Sequence, residues 1–142
     1  MKQIRDFVGL QLVQVCRAHR QRADEKLSKL GLHVGQEMML LQLWVEDGLT
    51  QSQLAQYANV ELPTMTKMVQ RMEHAGLVVR RPDPEDARIS RVYLTERGRS
   101  LEQPVLRAWT QLEERTLSGL TQVEQMLLRR MLLQIDTNLS DQ

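Results

Sequence analysis

Few side chains in this sequence are able to make or break bonds. The histidines are His19, His33 and His74, and the one cysteine is Cys16. Cys16 and His19 stand at i and i+3, so on a helix both can face one ion, with His33 or His74 as a third ligand. Two ligands on a helix do not make a metal site, and a buried thiol beside a partly exposed imidazole serves equally as packing. The sequence contains no nucleophile elbow, glycine-rich phosphate loop or zinc-protease motif. The expectation is a protein that is not an enzyme, with neither metal nor cofactor. A second set of residues has a different chemistry. Thr64, Thr66, Lys67, Gln70 and Arg71 lie close together, and Asp86, Arg88 and Arg91 follow after a proline-rich break. Hydroxyls, amides, ammonium and guanidinium groups are what hydrogen-bond phosphate oxygens and base edges.

Those groups act together only if the surrounding elements place them so. From Gln3 to Leu30, apolar residues recur at Ile4, Val8, Val15, Ala18, Ala23, Leu27 and Leu30, which predicts a long amphipathic helix ended by Gly31. A second helix is expected from Val34 to Val45, with Met38, Leu41 and Val45 on one side. Asp47-Gly48 breaks the chain. Thr50 and Gln53 then have capping-box spacing, which predicts a helix over 51–58. After the turn Asn59-Val60-Glu61-Leu62, Pro63 opens a helix running to His74, because its fixed φ suits a first position and its missing donor costs nothing there. Within that helix Met65, Met68, Val69 and Met72 follow the inward spacing, leaving Thr64, Thr66, Lys67, Gln70 and Arg71 outside. Gly76 closes it. The β-rich runs 77–81 and 89–94, separated by Pro82-Asp83-Pro84-Glu85-Asp86-Ala87-Arg88, read as a hairpin. Thr95 is placed to cap a helix over 96–118 that Pro104 bends. Thr121 and Glu124 form a second capping box ahead of Leu127, Leu128, Met131, Ile135 and Leu139 at helical spacing.

A chain of 142 residues is long enough for one domain with a real core. With 4% aromatic residues and eight methionines, that core is expected to be aliphatic and helical. A single cysteine makes no internal disulfide, the opening segment lacks the features of a secretory signal, and no apolar run approaches the ~18 residues of a membrane span. A soluble cytoplasmic protein, not a membrane one, is the simplest reading. The net charge of +1 hides an uneven distribution. Residues 32–61 carry no basic and four acidic groups, whereas 62–99 carry eight basic and five acidic. Residues 1–31 are the other basic stretch, with seven against three. Basic charge therefore gathers on the segment that holds the polar helix and the hairpin, where it can neutralise phosphates and release counterions.

Two short helices joined by a tight turn, the second exposing small polar and basic side chains, meet the physical requirement for a reading head in the major groove. Any amphipathic helix shows a polar face, so the helix alone decides little. The hairpin directly behind it is what a wing needs. Arg88 at its tip suits the strong negative potential of a narrow minor groove, and Asp86 can hold the guanidinium by a charge-assisted hydrogen bond.

The stretch Asp86-Ala87-Arg88-Ile89-Ser90-Arg91-Val92-Tyr93-Leu94-Thr95 resembles the wing signature of MarR regulators, D-x-R-x-x-x-hydrophobic-x-L-T. Glu96-Arg97-Gly98-Arg99, Leu49-Thr50 through Leu54-Ala55, and Arg71 through Val78 resemble neighbouring parts of that family in order. The resemblance implies a mainly α fold with a small β-hairpin wing (α+β), a winged helix-turn-helix in a triangular homodimer. Within a single domain over 1–142, it implies that 1–30 and 100–142 supply dimerisation helices and 32–99 the DNA-binding region. It implies a sequence-specific repressor of transcription, released from a palindromic operator in double-stranded DNA by a small aromatic or anionic effector. Thr64, Thr66, Lys67 and Arg88 match positions that contact DNA in the family, and Gln70, Arg71 and Arg91 join them here as candidates. His19, His33, Met38 and Trp44 fall where the effector pocket would form. Two other readings stay open. Cys16 is a candidate redox thiol, although it departs from the sensing branch in its distance from the Leu-Gly-Leu turn. A winged helix can also bind protein, in which case the face holding Lys67 and Arg71 should be apolar or acidic.

Overall fold

The structure is a computed structural model that describes residues 1–33 and 35–140. After a 3-10 turn at Ile4–Asp6 come α1 (Val8–Ser28), α2 (Gln36–Val45), β1 (Leu49–Thr50), α3 (Gln51–Ala58), α4 (Leu62–His74), β2 (Val78–Pro82), β3 (Ser90–Leu94), α5 (Glu96–Ser100), α6 (Glu102–Thr116) and α7 (Gln122–Ser140). The strands form one antiparallel sheet in the order β1-β3-β2. Leu49 pairs with Val92, and β2 pairs with β3 from Val78 opposite Leu94 to Pro82 opposite Ser90. The chain divides into two compact units, Met1–Trp109 and Thr110–Gln142.

The element ends follow from local chemistry. Thr50 accepts from the Gln53 N–H at 3.1 Å while its own N–H donates to Gln53 Oε1 at 2.9 Å, the reciprocal box that starts α3. Thr121 and Glu124 repeat it before α7 at 3.2 and 2.9 Å, and the two donations from Thr121 hold the Glu124 carboxyl below its ordinary range. At the end of α4, Leu77 N–H reaches Met72 O at 2.9 Å and Gly76 N–H reaches Glu73 O at 3.0 Å, with Gly76 at φ +75°. That Schellman pair satisfies carbonyls the helix leaves open. Asn59, the one non-glycine residue with positive φ among those described (+52°), ends α3 with the same two bonds.

Two predicted helices differ, and one strand is added. The first helix is interrupted at Phe7, whose backbone is extended, so α1 begins at Val8. The predicted helix over 96–118 is two helices, because Pro104 has no N–H for the Ser100 carbonyl and its ring crowds that oxygen. β1 was not predicted. It is two residues long, and its partner strand lies far along the chain. Val34, the expected start of the second helix, lies outside the described residues.

In the first unit, Leu40, Leu43, Leu54, Met65, Val69, Met72, Leu77, Val78 and Val92 are buried where α2, α3 and α4 meet the sheet. α2 turns Met39, Leu40 and Leu43 inward, so the predicted side with Met38, Leu41 and Val45 faces out. Glu37 is also fully buried, and Arg20 Nη1 on α1 donates to its Oε1 at 2.7 Å. That bond to Glu37 leads the causes that raise the Arg20 pKa. A buried carboxylate costs several kcal/mol unless paired, so Arg20 ties α1 to α2.

Gly98 is fixed by close approach. A Cβ there would lie 2.2 Å from the Leu77 carbonyl oxygen, and the Gly98 carbonyl accepts the Trp44 indole N–H at 3.0 Å. Gly98→Ala is expected to destabilise by about 1–3 kcal/mol through overpacking. Urea denaturation checks this, and an unchanged midpoint would mean that α5 does not press on the sheet.

The second unit has a different character. α7 buries no residue and leaves Val123, Met126, Leu127, Met131, Leu132, Leu133 and Leu139 exposed. Ile4, Val8 and Val15 in the first unit are likewise exposed, while Ala23 and Leu27 of the same predicted apolar set are buried. No helix among the described residues is long and apolar enough to cross a membrane.

Candidate nucleic-acid interface

α3, the turn at Asn59 and α4 form a helix-turn-helix. α4 starts at Leu62, with Pro63 in its first turn. Thr64, Lys67, Gln70 and Arg71 stand exposed on it, and among the described residues their side chains have no hydrogen-bond or ion-pair partner. These four are open to an outside ligand.

Two predicted positions on α4 differ. Thr66 is half-buried, and its hydroxyl lies 2.9 Å from Gln51 Oε1 and 3.0 Å from the Leu62 carbonyl. Gln51 is itself buried, and its amide nitrogen lies 3.5 Å from Ser90 Oγ on β3. Thr66 therefore faces α3 instead of solvent. Met68 is half-buried, at the edge of the inward stripe, while Met65, Val69 and Met72 are buried as expected.

The loop between β2 and β3 is organised by two aspartates. Asp83 Oδ2 accepts the N–H groups of Glu85 and Asp86 at 2.9 and 3.0 Å, and its Oδ1 accepts from Arg91 Nε at 2.5 Å. Arg91 above all, then the Glu85 amide, holds the Asp83 carboxyl below its usual range. Arg91 Nη1 also donates to the Gly48 carbonyl at 2.8 Å. Arg91, expected to point outward with the other candidates, instead braces the root of the hairpin against the turn before β1. Asp86 takes Arg88 at two points, Nε to Oδ1 at 3.0 Å and Nη2 to Oδ2 at 3.1 Å. The Arg88 side chain is 91% exposed at the tip, so solvent screens the pair and its effect is on direction. The same bond lowers the Asp86 pKa and raises that of Arg88.

Two further cations belong to this surface. Arg80 and Arg81 on β2 are exposed; Arg80 pairs with Glu73 at 3.1 Å, and the Arg81 guanidinium lies 5.8 Å from the centre of the Tyr93 ring. Strand alternation in Val78-Val79-Arg80-Arg81 was the available signal, since two adjacent arginines cannot both face the core.

The four residues expected to form an effector pocket do not meet. Met38 and Trp44 line a groove of about 400 Å³ between α2 and α6. His19 stacks on Trp109, another wall of that groove, with ring centroids 5.5 Å apart. His33 lies elsewhere, beside Lys67 and Arg71 in a depression of about 610 Å³. Cys16 is exposed, not buried, and no group of three metal-ligating side chains occurs among the described residues.

Known proteins share this arrangement. The MarR family profile matches residues 32–90, from just before α2 to the first residue of β3. The HTH-type transcriptional repressor IacR of Pseudomonas putida is 33% identical over 137 residues, covering 94% of this chain and 80% of that protein. An HTH-type transcriptional repressor of Mycobacterium tuberculosis is 30% identical over 125 residues, covering 88% and 90%. Among solved structures, a cysteine-to-serine mutant of MarR from E. coli complexed with operator DNA superposes with a TM-score of 0.82 at 26% identity, covering 90% of this chain and 92% of that one. With a helix-turn-helix, a three-stranded wing and relatives matched along nearly its whole length, the chain belongs to the MarR family of transcription regulators.

Proposed function

We propose that this protein is a homodimeric repressor that reads a palindromic operator in double-stranded DNA, with 32–99 as the reading head and 1–30 and 100–142 as dimerisation helices. One observation carries the reading: Thr64, Lys67, Gln70 and Arg71 are exposed and unpartnered on α4, beside a hairpin whose tip arginine is held outward by Asp86. α4 enters the major groove, where Thr64 and Lys67 near its start meet base edges and phosphates and Gln70 and Arg71 reach farther. Arg88 enters the adjacent minor groove. Thr66 and Arg91 act from behind, fixing α4 and the wing. The bare apolar faces of α1 and α7 support a second copy, since exposed apolar surface on that scale marks an interaction site. In the dimer the two α4 helices sit about one helical turn of DNA apart, ~34–36 Å. The groove holding Met38 and Trp44 takes a small aromatic effector, which favours a head spacing that no longer fits the operator. The protein works in the cytoplasm, with the chromosome.

Arg88→Ala tests the wing. Fluorescence anisotropy with labelled duplex DNA across a salt series should show weaker binding and a log–log slope shallower by about 0.9 for each phosphate that the wing no longer neutralises. Thermal stability should change by no more than about 0.5 kcal/mol. Binding and slope equal to wild type would remove the wing from the interface.

A further inference from the structure

We infer that the groove between α2 and α6 selects a flat aromatic cation over an aromatic anion. The inference rests on reading that groove as the effector site. Its walls are Met38, Leu41, Trp44, Val105 and Trp109, with Glu102 at the rim. A space of about 400 Å³ falls at the lower end of small-molecule sites and suits a two- or three-ring compound.

The walls offer an occupant almost no hydrogen-bond donor. The Trp44 indole N–H is already taken by the Gly98 carbonyl. The Trp109 indole N–H has no hydrogen-bond partner among the described residues, but its nitrogen is buried from solvent. Among the described residues, no Lys, Arg or His lines the space. His19 stacks on the Trp109 ring without lining the groove, and Arg20, the next residue of α1, is committed to Glu37 and Asp24. A carboxylate seated here loses its water and gains no donor, which is the costly way to bury a charge.

A cation meets the opposite situation. The electron-rich faces of two indoles attract it, an interaction that strengthens when water is excluded. Glu102, exposed and without an ion-pair partner among the described residues, adds the only formal charge on the lining. The same carboxylate repels an anion.

The test uses the fact that the chain's two tryptophans, Trp44 and Trp109, both line this groove. Intrinsic tryptophan fluorescence of the full-length protein therefore reports occupancy with no background from other sites. Three probes share a biphenylmethyl group and differ in the cationic, neutral or anionic group it carries: para-phenylbenzylammonium, para-phenylbenzyl alcohol and para-biphenylacetate, excited on the red edge of indole absorption. The ammonium should bind about ten-fold more tightly than the alcohol, and the acetate more weakly than either. Glu102→Gln should erase most of the ammonium's advantage while leaving the alcohol's affinity in place. Preferential binding of the acetate, or equal binding of ammonium and alcohol, overturns the charge selection but leaves the groove a binding site. Failure of all three probes to perturb the fluorescence overturns the effector reading itself.

Discussion

Leu132→Glu is expected to convert the proposed dimer to monomers and lower its affinity for operator DNA by about 10²–10⁴-fold. Leu132 is exposed on α7, a helix that buries no residue, and it lines a groove of about 830 Å³ with Leu117, Met126, Leu128 and Leu133. Leu132 is 45% exposed within one subunit, so the substitution is expected to spare the fold of the monomer. Across a twofold interface the same patch meets itself, and one substitution introduces a carboxylate on both sides. The DNA effect follows from geometry. Two linked heads make the second binding event intramolecular, a gain of about 10²–10⁴ that a lone head forfeits. Sedimentation velocity measures the first effect and anisotropy the second. A dimer that persists in the variant would move the interface off α7.

Met65→Ala should destabilise the protein by about 2–5 kcal/mol, the cost of a cavity left by a long side chain. Met65 has no solvent exposure and belongs to the α4 core face with Val69 and Met72. Met68→Ala should cost less than this, because Met68 is half-buried and solvent fills the space it vacates. Guanidinium denaturation of the two variants side by side reads the difference. Equal destabilisation would mean that α4 is rotated from the orientation described, and Lys67 and Arg71 would turn with it.

That pair of methionines shows what was legible in the sequence. Spacing alone placed Met65, Met68, Val69 and Met72 on one side of a helix, and three of the four are buried. How far the stripe reaches depends on what packs against it, which spacing does not contain. The same applies to Met38, Leu41 and Val45, correctly grouped on one side of α2 yet facing out, because α3 and the sheet cover the opposite side. Local devices were readable. The capping boxes at Thr50 and Thr121 and the bidentate hold of Asp86 on Arg88 join residues two or three positions apart. The roles of Thr66 and Arg91 were not, since their partners Gln51 and Gly48 stand 15 and 43 residues away. β1 escaped for the same reason: two residues make a strand only because β3 returns beside them. Where the effector candidates separated, the chain had given only their helices. His33 and Met38 are five positions apart in sequence yet line different cavities.

Repeated selection of bound duplexes from a random pool tests the central claim most directly. Two identical heads, each with α4 in a major groove, should enrich inverted repeats whose half-sites are centred about one helical turn apart, 10–10.5 base pairs. Enrichment of a single unrepeated motif, or of no sequence above the starting pool, would contradict it.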